Sequence, residues 1–232
     1  MELNSWLLLM MFVVAVLYAT VGHGGASGYI AVMTLFSFAP DVIRPLALVL
    51  NIGVSFIAFV HYFRSGNFKW KLFYPFIITS VPFAFLGGKM HLQTHVFHFI
   101  LGVLLIFPIV NLLGLIPERP SLSSLKLYPA LLVGAVIGFL SGLIGIGGGI
   151  LLSPLLLLLG WANIKESAAV SSLFIFMNSI TVMLSLNSSD IVSLFPLWPV
   201  PLVVLAGGFI GSRFGAFTDH IRLLKGVPAV IS

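Results

Sequence analysis

The sequence predicts an all-α polytopic membrane protein built from two inverted repeats, each with a Gly-rich break between a long helix and a short, half-length helix. The first observation is composition: the 232-residue chain is 59% hydrophobic and 7% charged, whereas soluble domains carry about 25% charged residues. The second is a series of long apolar runs, and the third is a pair of glycine clusters at matching places in the two halves. We expect about 8 spanning or near-spanning helices plus short re-entrant arms.

Helices fit the apolar runs better than barrel strands, because a spanning helix needs about 20 apolar residues whereas a barrel strand alternates over about 10. The segments expected in the first half are residues 3–21, 29–38, 42–63, 72–87 and 96–115. Those expected in the second half are residues 127–144, 150–159, 165–186 and 192–211. Residues 221–232 are too short and interrupted to span, so the last segment is expected to be short or incomplete. Glu2 stands where a signal peptide would be basic, so the first segment is expected to stay in the protein.

Matched stretches divide the chain into a first repeat at residues 1–116, a connecting loop at 117–126 and a second repeat at 127–232. The matches, first half against second, are 47–51 against 168–172, 74–75 against 198–199 and 86–89 against 210–213. Asn51 thereby falls opposite Ser172. Each match is weak by itself, and their shared order is what indicates a duplication.

Loop charges predict that the two repeats are inverted in the membrane. The loop after residue 63 carries Arg64, Lys69 and Lys71 and is expected on the cytoplasmic side, where basic residues are enriched. Its counterpart at 187–190 carries no base and is expected outside. Equivalent loops then lie on opposite sides and the N-terminus lies outside. Each short segment enters and leaves on one face as a re-entrant arm.

The two glycine clusters are the most informative feature for function. The first is Gly22-His23-Gly24-Gly25-Ala26-Ser27-Gly28, and the second is Gly145-Ile146-Gly147-Gly148-Gly149-Ile150. Each ends one helix and begins another, and the first N–H groups of a helix have no partner within it and carry partial positive charge. Two such N-termini that meet near the middle of the membrane form an anion site without a charged side chain. The candidate substrate-binding residues are Gly22, His23, Gly24, Gly25, Ser27, Asn51, Gly145, Gly147, Gly148, Gly149, Ser171 and Ser172.

Other interpretations of these residues stay open. Glycine clusters also serve close packing between membrane helices. A dinucleotide or P-loop motif fails, because neither cluster completes G-x-G-x-x-G and no Lys-Ser/Thr follows. His23 is a ligand-facing donor, a proton carrier or a hydrogen-bonded turn residue. The polar residues within apolar segments, Asn51, Ser171, Ser172 and Asn178, either line the site or make hydrogen bonds between helices.

All six acidic residues fall at segment ends or in loops: Glu2, Asp41, Glu118, Glu166, Asp190 and Asp219. Transporters of cations and protons commonly carry a carboxylate within the membrane, and this chain offers none there. An anion that leaves a cell whose interior is negative needs no such group, because the potential supplies about 2.3 kcal/mol per charge per 100 mV. The charge pattern therefore favours a small anion as the substrate.

Metals, cofactors and other partners have little support in the sequence. His91, His95 and His98 share one helix face, so a zinc site is conceivable, but no carboxylate lies near and interfacial histidines are expected. The chain has no Cys, which excludes a disulfide and a cysteine nucleophile. No basic run interleaved with aromatics indicates nucleic-acid binding. The expected partners are the small anion and the lipid bilayer, with no metal and no cofactor; an oligomer is left open.

Residues 145–149 with the following Pro154, the partner cluster at 22–25 and the stretch 168–172 together resemble the sulfite exporter TauE/SafE family. The resemblance covers almost the whole chain. It implies a multi-pass permease of the cytoplasmic membrane that exports sulfite, sulfoacetate or a related sulfur anion. The first cluster has His23 and Ser27 where the second has apolar residues, so the two halves differ in chemistry.

With this resemblance, we predict a permease that moves a small anion outward across the cell inner membrane by alternating access. Its substrate is expected to be sulfite, an organosulfonate or a related sulfur oxyanion. The alternative is an anion or small-solute channel of the same architecture. An enzyme is not expected, because it would need a nucleophile–base pair or a metal cluster.

Overall fold

The computed structural model of the chain describes residues 4–90, 92–112, 123–186 and 197–218. The nine helices within these ranges are α1 (Ser5–Ala19), α2 (Ala26–Leu35), α3 (Pro40–Arg64), α4 (Trp70–Lys89), α5 (Thr94–Leu112), α6 (Leu127–Ile144), α7 (Gly149–Leu158), α8 (Ile164–Ser185) and α9 (Pro199–Phe217). No strand occurs in the described ranges, and the predicted all-α class is confirmed. Five helices, α3, α4, α6, α8 and α9, are long and apolar enough to cross a membrane.

The helices follow the predicted segments, and the differences have local causes. α6 begins and ends where it is predicted to. α2 begins earlier than expected, at Ala26, because the left-handed backbone of Gly25 (φ 91°) forms its N-cap. α9 begins later than the predicted segment 192–211, at Pro199, because proline suits the first turn of a helix. α1 has 15 residues and is shorter than a full span.

Several predicted features lie outside the described residues. They are the end of segment 96–115, most of the loop 117–126, the loop 187–190, the start of segment 192–211, the stretch 221–232, His91, and the acids Glu2, Glu118, Asp190 and Asp219. Of the six acids, Asp41 and Glu166 are described, and each lies in the first turn of a helix, α3 and α8 respectively. Both therefore sit at segment ends, as expected.

Two pairs of helices pack side by side in the same direction, and each pair joins one helix from either half. α4 packs along α6, where a Cβ atom on Gly87 would overlap the carbonyl oxygen of Phe139. α1 packs along α9, where a Cβ atom on Gly211 would overlap the carbonyl oxygen of Val16. Such close approach of backbones requires small residues. Glycine therefore has a packing role in these helix pairs, separate from its role in the two breaks.

α3 and α8 form the central pair and run antiparallel. Tyr62, near the end of α3, lies in one buried cluster with Ala168, near the start of α8. Leu48, near the start of α3, lies in another with Val182, near the end of α8. α3 also packs on α2 and α9, as α8 packs on α7 and α4. The contacts of α3 in the first half therefore match those of α8 in the second: α2 corresponds to α7, and α9 corresponds to α4.

The outward faces of the helices are apolar. On α1, Leu9, Val13 and Leu17 recur at helical spacing and are 51%, 45% and 53% exposed. A row of exposed leucine and valine is unfavourable in water, whereas lipid tails are as apolar as these side chains. The surface therefore suits a lipid environment, as the composition predicts.

One end of the bundle carries an ion pair between the two halves. Lys69 precedes α4 and pairs with Glu166 in the first turn of α8. Glu166 also completes a capping box with Asn163 and is only 6% exposed. Because Lys69 belongs to the loop predicted to be cytoplasmic, the first turn of α8 lies at the same end of the bundle.

Candidate functional site

The two glycine clusters form breaks with similar backbones, although Gly147 (φ 71°) is left-handed and its counterpart Gly24 is not. Gly25 (φ 91°) precedes α2 and Gly148 (φ 76°) precedes α7, and both occupy the left-handed region as N-caps. At the start of the breaks, Gly22 (φ 74°) and Gly145 (φ 84°) adopt the same conformation. A Cβ atom is costly in this region, so glycine is required for the turn itself.

The two breaks meet at Asn51, which lies near the middle of α3. A Cβ atom added at Gly24 would overlap Asn51 Oδ1, and one at Gly147 would lie 2.7 Å from Asn51 Nδ2. The Cβ atoms added at Gly24 and Gly147 would also lie 3.0 Å and 2.8 Å, respectively, from Cγ2 of Ile175, in the middle of α8. The central helix pair therefore places one side chain from each half against both breaks.

Asn51 caps the N-terminus of α2 from a distance. Its Oδ1 accepts a hydrogen bond of 3.0 Å from the N–H of Ala26, the first residue of α2, and its Nδ2 donates to Ser179 Oγ at 3.4 Å. The N-cap of α2 is Gly25, which has no side chain to satisfy this N–H group. Asn51 is thus both a cap for the first arm and a link between α3 and α8.

The counterpart of Asn51 in the second half is Ile175, and the predicted pairing of Asn51 with Ser172 is wrong. Ile175 contacts Gly24 and Gly147 as Asn51 does, whereas the Ser172 hydroxyl donates to Ala169 O in its own helix at 2.8 Å. The prediction failed because short matches in apolar sequence do not fix the register of two helices.

The N-terminus of α7 has no cap equivalent to Asn51. A Cβ atom at Gly149, the first residue of α7, would overlap the side chain of Ile175, and a methyl group cannot accept a hydrogen bond. Gly148, the N-cap, offers no side-chain hydrogen bond either. Neither residue therefore offers the first amides of α7 a side-chain acceptor, whereas Asn51 supplies one to α2.

Three buried hydroxyls around the breaks have no hydrogen-bond partner in the described part of the chain: those of Tyr29, Ser141 and Ser171. A Cβ atom at Gly25 would lie 2.6 Å from Tyr29 Oη, and one at Gly148 would lie 3.3 Å from Ser141 Cβ. Ser171 contacts Gly149 through its carbonyl oxygen, 3.4 Å from the Cβ position of that glycine. Buried polar groups normally have partners, so these hydroxyls mark a place where an additional acceptor is expected.

The polar residues of the first break are engaged within the protein. His23 Nδ1 donates to Val21 O at 3.1 Å, and its ring also interacts with the backbone of Gly149. Ser27 Oγ donates to Tyr18 Oη at 3.2 Å. His23 thus reaches from the first break to the start of α7, whereas Ser27 stays within its own arm.

Sequence reasoning missed Tyr29, Ser141, Ile175 and Ser179. Tyr29 follows Gly25 by one helical turn and Ser141 precedes Gly145 by one turn, so helical spacing from the breaks would have found both. Ile175 and Ser179 required the register of α3 against α8, which the sequence does not provide. The other predicted polar residue, Asn178, accepts from Ser80 at 2.7 Å and makes a hydrogen bond between α8 and α4.

No group of three or more metal-ligating side chains occurs within the described residues. Of the three histidines considered for zinc, His91 lies outside these residues and His95 is exposed at the start of α5. The polar groups that surround the two breaks are mainly backbone amides and hydroxyls, and both can donate hydrogen bonds to an anion.

The fold and the site define a polytopic helical transporter in which the N-termini of two short helices meet inside the bundle. The model of the family described as sulfite exporter TauE/SafE matches residues 7–227. The chain belongs to this family of membrane transporters, and it is a multi-pass membrane protein.

Named relatives are described as probable membrane transporter proteins. The protein y4hK of Sinorhizobium fredii is 37% identical over 236 residues, which cover 95% of this chain and 93% of the relative. MJ0441 of Methanocaldococcus jannaschii is 30% identical over 180 residues, which cover 71% and 65%. YdhB of Bacillus subtilis is 26% identical over 239 residues, which cover 97% and 96%. No solved structure matches this chain.

Proposed function

We propose that the protein is a permease, and not an enzyme, that moves a small sulfur oxyanion or organosulfonate such as sulfite outward across the cell inner membrane. The observation that carries the proposal is the meeting of two glycine-capped helix N-termini at Asn51, which caps α2, whereas Gly148 gives α7 no side-chain cap. The name of the family supports sulfite as the first substrate to test.

The chemistry of the site favours an anion with several oxygens. The N-cap residue of α7 makes no side-chain hydrogen bond, and the buried hydroxyls of Ser141 and Ser171 have no hydrogen-bond partner in the described ranges. Each oxygen of a sulfur oxyanion accepts hydrogen bonds, and bonds to a charged acceptor are roughly twice as strong as neutral ones. Among the described acids, Glu166 is paired with Lys69 at one end of the bundle, so it does not oppose the anion.

The two halves support alternating access. We take residues 1–116 and 127–232 as inverted repeats joined by 117–126, because helix pairings exchange between the halves. At one end the halves are linked by Lys69 with Glu166, and by His61 Nδ1 with Ser212 Oγ at 2.8 Å. At the other end, Arg44 of α3 donates to Gly142 O of α6 at 2.6 Å. Transport would break one set of links at a time.

The test is flux of sulfite, thiosulfate, sulfate and sulfoacetate from proteoliposomes, with and without a potassium diffusion potential that is negative inside. We expect efflux of at least one of these anions that saturates, shows counterflow and rises with the potential, which favours outward movement by about 2.3 kcal/mol per charge per 100 mV. Single-channel currents would instead identify the channel alternative. Net inward movement of a cation would contradict the proposal.

Asn51→Asp tests where the anion binds. The carboxylate retains an acceptor for the Ala26 N–H group, so α2 stays capped, but it adds a negative charge between the breaks. We expect flux at pH 8 to fall about 100-fold or more, since like charges about 4 Å apart repel by about 4 kcal/mol at an effective dielectric constant of about 20. Wild-type flux in this variant would place the anion elsewhere.

A further inference from the structure

Two fully buried tyrosines lie in this bundle, and they differ in one respect. Tyr62 Oη donates to the carbonyl oxygen of Thr20 at 2.6 Å. Tyr29 Oη has no hydrogen-bond partner among the residues that the structure describes. Both side chains have 0% exposure. A phenylalanine would fill the place of Tyr29 without leaving a hydroxyl unsatisfied, so the tyrosine is costly unless a group other than the described residues accepts its hydrogen bond.

The position of Tyr29 identifies where that acceptor would lie. A Cβ atom at Gly25, the N-cap of α2, would be 2.6 Å from Tyr29 Oη. The Tyr29 hydroxyl therefore lies next to Gly25, at the N-terminal end of α2. In the second half, the hydroxyl beside the N-cap is that of Ser141 on α6: it is fully buried, unpartnered within the described ranges, and next to Gly148, the N-cap of α7.

The two hydroxyls come from different positions of the repeat. The residue that corresponds to Tyr29 on α7 is Leu152, one turn after Gly148, and the residue that corresponds to Ser141 on α1 is Tyr18. The Tyr18 hydroxyl already accepts a hydrogen bond from Ser27. Each N-cap thus has beside it a hydroxyl without a partner in the described ranges, supplied by α2 itself in the first half and by α6 in the second. Repetition of the sequence alone would have placed the two hydroxyls at equivalent positions.

We propose that the hydroxyls of Tyr29, on the first arm α2, and Ser141, on α6 beside the second break, are substrate ligands that together bind two oxygens of one polyoxygen anion. This proposal rests on the proposed function and adds the residues that determine affinity. Two donors beside different breaks select an acceptor group with oxygens on more than one side, such as a sulfite or sulfonate group, over a spherical halide.

The experiment compares Tyr29→Phe and Ser141→Ala with Tyr62→Phe as the matched control. Sulfite efflux from proteoliposomes gives the half-saturation concentration and the maximal rate, and thermal unfolding of the purified proteins gives stability. For Tyr29→Phe and Ser141→Ala we expect a rise of about 10-fold or more in half-saturation, the usual loss for a hydrogen bond to a charged group, with an unchanged or raised Tm. Chloride is added as a competitor and should inhibit sulfite efflux weakly in every variant.

Tyr62→Phe should do the reverse, because it leaves the Thr20 carbonyl without its donor: a lower Tm and an unchanged half-saturation. Wild-type sulfite efflux with equal half-saturation in Tyr29→Phe and Ser141→Ala would overturn the inference and leave the proposed function standing. A Tm of Tyr29→Phe as low as that of Tyr62→Phe would also overturn it, since the hydroxyl would then have a structural partner. Absence of flux for all four anions in the wild type would overturn the proposed function and this inference with it.

Discussion

The first and second breaks have similar backbones and opposite surroundings. Both place left-handed glycines at the N-cap of a ten-residue helix, Gly25 before α2 and Gly148 before α7. The first amide of α2 donates to Asn51 Oδ1, whereas Ile175, which packs against Gly149 at the start of α7, has no hydrogen-bond acceptor in its side chain. The two helix ends are therefore built alike, but an asparagine caps the first and an isoleucine lies against the second.

This difference assigns distinct roles to the two arms. An uncapped helix N-terminus behaves as roughly half a positive charge, and a capping oxygen cancels part of it. Under the proposed function, we therefore expect the second arm to be the stronger anion site, although its side chains other than Ser153 are apolar. The first arm contributes polar side chains, including His23, whose ring reaches the backbone of Gly149.

The largest effect is expected from a side chain at the second N-cap. In Gly148→Ala, the new methyl group would lie 2.8 Å from Ile137 Cγ2 and 3.0 Å from Phe174 Cε1, and the left-handed backbone adds about 1–2 kcal/mol of strain. We expect loss of sulfite efflux, measured per folded protein, together with a lower Tm.

Gly66→Ala is the matched control, because Gly66 has φ 78° in the turn after α3 and nothing within 4 Å of its Cβ position. It carries the same backbone strain without the contacts of the site. Its efflux should remain at the wild-type level. Equal loss of efflux in both variants would mean that backbone strain, and not the second break, explains the result.

The next effect tests the unequal caps directly. Ile175→Asn places an amide at the position that corresponds to Asn51, where its oxygen would cap α7 as Asn51 caps α2. The new cap competes with the anion for the same amides, so half-saturation for sulfite should rise about 10-fold, while stability stays level or gains up to about 1 kcal/mol. Ile175→Leu is the control that keeps an apolar side chain. Tighter sulfite binding in Ile175→Asn would reverse the assignment of the two arms.

The sequence was sufficient for the parts of this comparison that depend on local chemistry. Glycine at the N-caps, the short second arm and the ends of α6 all follow from residues that terminate or start helices. The partner of Asn51 did not follow, because it depends on the register between α3 and α8, and uniformly apolar helices carry few marks of register. Glu166 shows the same limit: its place at a helix end was predictable, but its burial against Lys69 was not.

The smallest effect distinguishes two serines one turn apart on α8. Ser171 and Ser167 are both fully buried, but Ser167 Oγ donates to Ser153 O at 3.1 Å, whereas the Ser171 hydroxyl has no partner in the described ranges. Ser171→Ala should raise half-saturation for sulfite by about 3-fold to 10-fold and leave the free energy of unfolding within about 0.5 kcal/mol of the wild type. Ser167→Ala should instead lower the free energy of unfolding by about 1 kcal/mol, because the carbonyl of Ser153 loses a donor. A lower free energy of unfolding in Ser171→Ala, with an unchanged half-saturation concentration, would mean that the Ser171 hydroxyl is structural. The second break would then lose a donor that distinguishes it from the first.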